Sequence, residues 1–147
     1  MKNIEPSISR KKLLATAGTA AAVLATNGVY AQHEHHHGGS KNSKIISTAL
    51  DCVETGEICV SHCIDLMKNK DTSLVNCMEK VHETIAACKG LATLAAGNSP
   101  HLKEFAKVCM KICADCETEC KKHASKHPSC KDCADACRKC INACKAA

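Results

Sequence analysis

At 147 residues, with a formal charge of +5, the chain is sized for one small domain and not for two. One Phe, one Tyr and no Trp exclude a nucleic-acid stacking platform and a conventional aromatic core. Fourteen cysteines remain to explain the interior.

Residues 1–31 read as an export signal. Arg10, Lys11 and Lys12 form a basic region, Leu13 to Val29 an apolar, alanine-rich one, and Val29-Tyr30-Ala31 a cleavage site. A transmembrane anchor is the competing reading. Thr16, Gly18, Thr19, Thr26 and Asn27 interrupt the apolar run and weigh against it. Ser9-Arg10-Lys11-Lys12-Leu13-Leu14 resembles the twin-arginine (Tat) export motif, with Lys in place of the second Arg. Cleavage after Ala31 removes Lys2, Arg10, Lys11, Lys12, Glu5 and Tyr30. The charge then falls to about +2, and Phe105 is the remaining Phe, Tyr or Trp. That balance gives no reason to invoke nucleic acid or an anionic membrane.

Residues 32–43 form a polar tail without apolar periodicity, expected to be disordered. His33, His35, His36 and His37 suit capture of Cu(II) or another divalent ion; an unselected polar spacer is the alternative. After cleavage His33 is the second residue, so the amino-terminal Cu(II) clamp that needs His third is not formed.

Four helices are predicted next. The first spans about 44–68, capped by Ser43, and Asn69-Lys70-Asp71-Thr72 turns the chain. The second spans about 73–96 and stops at Gly97-Asn98-Ser99-Pro100, where Ser99 is a good N-cap and Pro100 a good first residue for the third helix, about 100–125. His127-Pro128-Ser129 separates it from the fourth, about 129–145. No strand-like alternation occurs, and short loops imply antiparallel neighbours. The fold class is therefore all-α, an up-down-up-down four-helix bundle.

The inward faces carry thiols where a bundle would carry Leu and Ile. The fourth helix has Cys130, Cys133, Cys137, Cys140 and Cys144, stepping by 3, 4, 3 and 4; the third has Cys109, Cys113, Cys116 and Cys120, stepping by 4, 3 and 4. Cys52, Cys59 and Cys63 follow the same spacing on the first helix, and Cys77 and Cys88 face in from the second. Antiparallel stacking places Ile45, Leu91, Leu94, Leu102 and Phe105 at one end as an apolar plug. Cys63, Met67, Met78, His123 and Cys130 gather at the other, as a mouth.

Thiolates are soft ligands that select Cu(I), Zn(II) or iron–sulfur clusters. Zinc with four thiolates keeps a net charge of −2, costly to bury repeatedly. Cu(I) shared by bridging thiolates approaches one ion per cysteine and a neutral core, a capacity on the order of 14 ions. Zinc is the metal rival because Cys113-x-x-Cys116, Cys130-x-x-Cys133 and Cys137-x-x-Cys140 are present, yet these pairs lie within continuous helical seams rather than knuckles. Ferredoxin spacing is absent. A disulfide-stapled secreted helical interaction module is the remaining rival. No nucleophile, base and orienter come together as in an enzyme.

With these motifs the chain resembles the four-helix-bundle copper storage proteins, cysteine-rich Cu(I) binders of bacteria. The resemblance rests on Cys59-x-x-x-Cys63, on the Cys109 to Cys120 seam and on the Cys130 to Cys144 seam, and it covers about 44–147. It implies that Cys52, Cys59, Cys63, Cys77, Cys88 and the cysteines of the last two helices bind Cu(I), with Cys144 deepest. It also implies a mouth role for Met67 and His123, with His62 and Met78 as further candidates. His127 is expected to face water at a helix end. Exported members of the family carry a twin-arginine signal, look like homotetramers and supply copper to a copper-requiring enzyme. By resemblance, this chain would be a periplasmic or other extracytoplasmic homo-oligomer whose partners are copper ions and such an enzyme, with no nucleic acid and, after signal cleavage, no membrane.

Overall fold

The computed structural model describes residues 41–146. The signal read at residues 1–31 and the histidines of the tail lie outside them. Four helices follow one another: α1 Ser43–Lys68, α2 Val75–Ala96, α3 Leu102–Lys121 and α4 Pro128–Lys145. Each packs on its two neighbours, α1 on α2 and α4, and α3 on α2 and α4. The result is the expected all-α four-helix bundle. No helix among the described residues is long and apolar enough to cross a membrane.

The helix ends follow from local chemistry. At the end of α1, Lys70 takes a left-handed φ of 63°. Its N–H donates to Met67 O, and that of Asp71 to Leu66 O. At the end of α2 the same paired closure uses Asn98, with φ 48°, whose N–H reaches Ala95 O while that of Ser99 reaches Leu94 O. The left-handed residue is thus Asn98 rather than Gly97, whose φ is −80°. Asn42 Nδ2 donates to Ala95 O at 3.0 Å and Asn98 Oδ1 at 3.1 Å, which ties the start of α1 to the end of α2.

Several boundaries differ from the sequence expectation, among them the start of α2, which is Val75 rather than Ser73. Helix α1 begins at Ser43, with Asn42 in the flanking position and no side-chain cap. Helix α3 begins at Leu102, because Ser99 heads a separate turn in which its carbonyl accepts from Leu102 N–H and its Oγ from His101 N–H. Helix α3 also ends at Lys121, not Ser125. Past Cys120 the N–H groups of Lys122, His123 and Ala124 bond three residues back, so the chain tightens and leaves the helical register. Helix α4 starts with Pro128 in its first turn after an extended His127, as a residue preceding proline should be.

The plug forms where the pattern placed it. Ile45, Leu91, Ala95 and Leu102 are buried, and Phe105 is half-buried, with its ring against Gly90. A Cβ on Gly90 would stand 3.0 Å from Phe105 Cζ, so the missing side chain is what admits the ring. Across the bundle surface Lys89 pairs with Glu57, Arg138 with Glu117 and Lys139 with Asp51. These exposed pairs contribute little each, about 0–1 kcal/mol. Cysteine is the commonest residue of the core itself.

Candidate metal centre

All fourteen cysteines are buried, and all are free thiols. The helical register explains this. Steps of three and four keep each seam on one face, and the square packing turns all four seams toward a common axis. Near the plug, one cysteine from each helix contributes to a single group: the Sγ atoms of Cys52, Cys88, Cys113 and Cys140 lie within 4.8 Å of one another. Cys109 adjoins it, 3.8 Å from Cys88 and 4.0 Å from Cys113. Cys144 lies beside Cys140 at the deep end.

Toward the other end three further groups overlap: Cys59, Cys63 and Cys77; Cys59, Cys120 and Cys133; and Cys116, Cys133 and Cys137. Short contacts knit them together. Cys77 is 3.4 Å from Cys120 and 3.9 Å from Cys130, Cys59 is 3.8 Å from Cys130, and Cys116 is 3.9 Å from both Cys120 and Cys133. These separations far exceed a disulfide bond of about 2.05 Å. They suit sulfurs sharing an ion: a metal about 2.3 Å from each of two to four thiolates fits between them. Among the described residues, every group of three or more mutually close Cys, His, Asp or Glu ligands is made of cysteine alone, a wholly soft donor set.

Burial and mutual hydrogen bonding set the thiol acidities. Burial pushes Cys63 up to about 12, and the nearby Cys59 and Cys77 sulfurs add to it. In the deep group, hydrogen bonds divide the thiols. Cys113 and Cys140 are lowered, foremost by Cys109; Cys52 is raised foremost by Cys113 and Cys88 foremost by Cys109. So many thiolates cannot coexist in one dry core without a cation. Metal entry must therefore displace protons.

The mouth residues are less concentrated than the sequence suggested. Met67 continues the α1 seam but is 40% exposed. Met78 is half-buried against the core. His123 has left the cysteine seam with the tightened turn, and its Nε2 faces Glu119 at 3.6 Å. His62 is half-buried beside Cys63 in the chain, and its Nε2 lies 2.9 Å from Nδ1 of His127. This corrects the reading of His127 as a helix-end residue facing water. It is half-buried and partnered, because the extended backbone before Pro128 turns its ring toward α1. The seam rule had no way to reach a residue outside a helix; the signal available was the proline that fixes its backbone.

The family model described as Csp, copper storage protein, matches residues 38–147. Among solved structures, the chain is similar to the Cu(I)-bound copper storage protein BsCsp3, at 29% identity and TM-score 0.62, over 69% of this chain and 92% of that one. The metal-free copper storage protein 3 of Bacillus subtilis is alike at 29% and 0.62, over 70% and 94%. A cytosolic copper storage protein of Streptomyces lividans, carrying five coppers, is 26% identical with a TM-score of 0.64, over 71% and 89%. No curated protein matches in sequence.

Proposed function

We propose that this chain, which belongs to the copper storage protein family, stores multiple Cu(I) ions on the thiolates that line its bundle. It is a binder and not an enzyme. The observation that carries the reading is the group built from one cysteine of each helix and continued by three overlapping thiol groups, with no harder ligand among them. Bridging thiolates allow many Cu(I) ions to sit there without the charge that repeated four-thiolate zinc sites would bury. The Cu(I)-bound and copper-loaded relatives support the choice of metal.

The fourteen cysteines are the proposed ligands. Met67, His62 and His123 are proposed to pass ions in at the mouth, and the pairing of His62 with His127 adds a fourth candidate. Export rests on the signal read at residues 1–31, since the Streptomyces lividans relative is cytosolic. The domain bounds follow as proposed: a signal at 1–31, a His-rich tail at 32–43 and the binding bundle at 44–147. Sequestration with later delivery to a copper-requiring enzyme is the proposed role outside the cytosol. Leu50, Ile58 and Ile64 stand exposed on α1 and supply an apolar surface for self-association.

The test is an anaerobic Cu(I) titration of the reduced protein against a coloured Cu(I) chelator. Storage predicts tight uptake approaching one ion per cysteine, on the order of 14. Saturation at one or two ions would assign most of the thiols to another task.

A further inference from the structure

The thiols do not form one even column. The three outer groups share members, Cys59 joining two and Cys133 joining two, whereas the deep group of Cys52, Cys88, Cys113 and Cys140 shares none with them. Sulfur pairs within hydrogen-bonding distance likewise fall on one side or the other. Cys88, Cys109 and Cys113 contact one another in the deep set, while Cys116, Cys120, Cys133, Cys59, Cys77 and Cys130 contact one another in the outer set.

The gap between the sets is filled on the α1 and α2 side by residues without sulfur. Helix α1 has no thiol between Cys52 and Cys59, and α2 none between Cys77 and Cys88. There the two helices touch through Gly56, where an added Cβ would meet Ile85 Cγ1 at 2.8 Å and Val81 Cγ1 at 3.3 Å. Thr84, wholly buried, is the one buried polar side chain on this wall, and its hydroxyl faces the Cys116 thiol. On the opposite side Cys137 of α4 faces Cys116 and Cys133 outward and Cys52 and Cys113 inward.

We propose that the lumen is two thiol compartments joined at a waist, and that Cys137 is the crossing through which Cu(I) passes between them. This rests on the storage reading above. The step is a ligand exchange. A bond from copper to Cys137 sulfur forms as a bond to Cys116 or Cys133 breaks; the proton leaving the Cys137 thiol is taken by the released thiolate, and copper remains Cu(I). Repeating the exchange onto Cys52 or Cys113 delivers the ion to the deep set. On the α1 and α2 side no thiol offers a second route, because Gly56, Val81 and Ile85 present only hydrocarbon and the Thr84 hydroxyl is too hard a donor for Cu(I).

Cys137→Ser therefore slows exchange with the deep compartment while removing only one thiol. Cys144→Ser is the comparator: it also removes one thiol but leaves the crossing. Thr84→Cys in the Cys137→Ser background places a new sulfur beside Cys116 and four residues before Cys88. That spacing brings Cys109 and Cys113, and Cys116 and Cys120, to 4.0 and 3.9 Å. Each protein is loaded with Cu(I) to saturation, then challenged anaerobically with excess chelator, and the copper remaining on the intact protein is counted against time by native mass spectrometry. The expected result is a Cys137→Ser protein whose deep ions leave roughly tenfold more slowly than those of Cys144→Ser, with the rate restored by Thr84→Cys. A Cys137→Ser curve that superimposes on that of Cys144→Ser overturns the crossing, as does a double variant that stays slow. An unsubstituted protein that holds only one or two ions overturns storage itself, so the two failures are distinguishable by the starting copper count.

Discussion

Gly56→Ala is the substitution whose outcome the packing fixes most narrowly. In a helix interior, alanine is favoured over glycine by about 1 kcal/mol. Here the new methyl would stand 2.8 Å from Ile85 Cγ1, 3.2 Å from Ile85 Cδ1 and 3.3 Å from Val81 Cγ1. Ile85 cannot swing aside freely: a β-branched residue in a helix has one strongly preferred χ1, and this one is 5% exposed. Overpacking of this kind costs about 1–3 kcal/mol. The clash wins over the propensity, for a net loss of about 1 kcal/mol. Urea denaturation of the reduced, metal-free protein measures it. The same methyl added to an Ile85→Ala protein, itself weakened by about 2–5 kcal/mol, enters the vacated space and becomes stabilising by about 1 kcal/mol. A Gly56→Ala protein more stable than the parent would refute the close approach of α1 and α2, and with it the narrow waist.

Two more outcomes follow from the thiols. Replacing Cys113, Cys116, Cys133 and Cys137 together by serine lowers Cu(I) capacity by about the number of sulfurs removed, if ions bridge evenly; chelator competition checks this, and unchanged capacity contradicts a shared lumen. Cys63, Cys59 and Cys130 are each raised from 9.0 to about 12 in the folded chain. A raised thiol pKa means that the folded state holds its proton more tightly. The stability it contributes is complete below pH 9 and is lost as pH climbs toward 12. Metal-free protein should therefore show a urea midpoint that falls between pH 9 and pH 11, and one that rises over this window contradicts the assignment.

Much of this was legible in the sequence because the cysteines carry the helical period themselves. Spacing alone put Cys109 to Cys120 and Cys130 to Cys144 on inward faces, and the turn residues placed the loops. Grouping was not legible. That Cys52, Cys88, Cys113 and Cys140 converge depends on the relative heights of four helices, which no single seam records. The contacts at the mouth were not legible either: past Cys120 the backbone tightens out of the helical register, so His123 faces Glu119 and His127 faces His62. The waist is equally tertiary. Gly56 looks like any helical glycine until Ile85 is seen against it.

Copper-edge anomalous diffraction from crystals of the fully loaded protein would locate the stored metal itself. Storage in the lumen predicts a file of copper peaks on the bundle axis, flanked by thiols from Cys63 at the mouth to Cys144 at the plug, in both compartments. Peaks confined to the helix exteriors or to the His62–His127 pair, with no metal among the buried sulfurs, would contradict it.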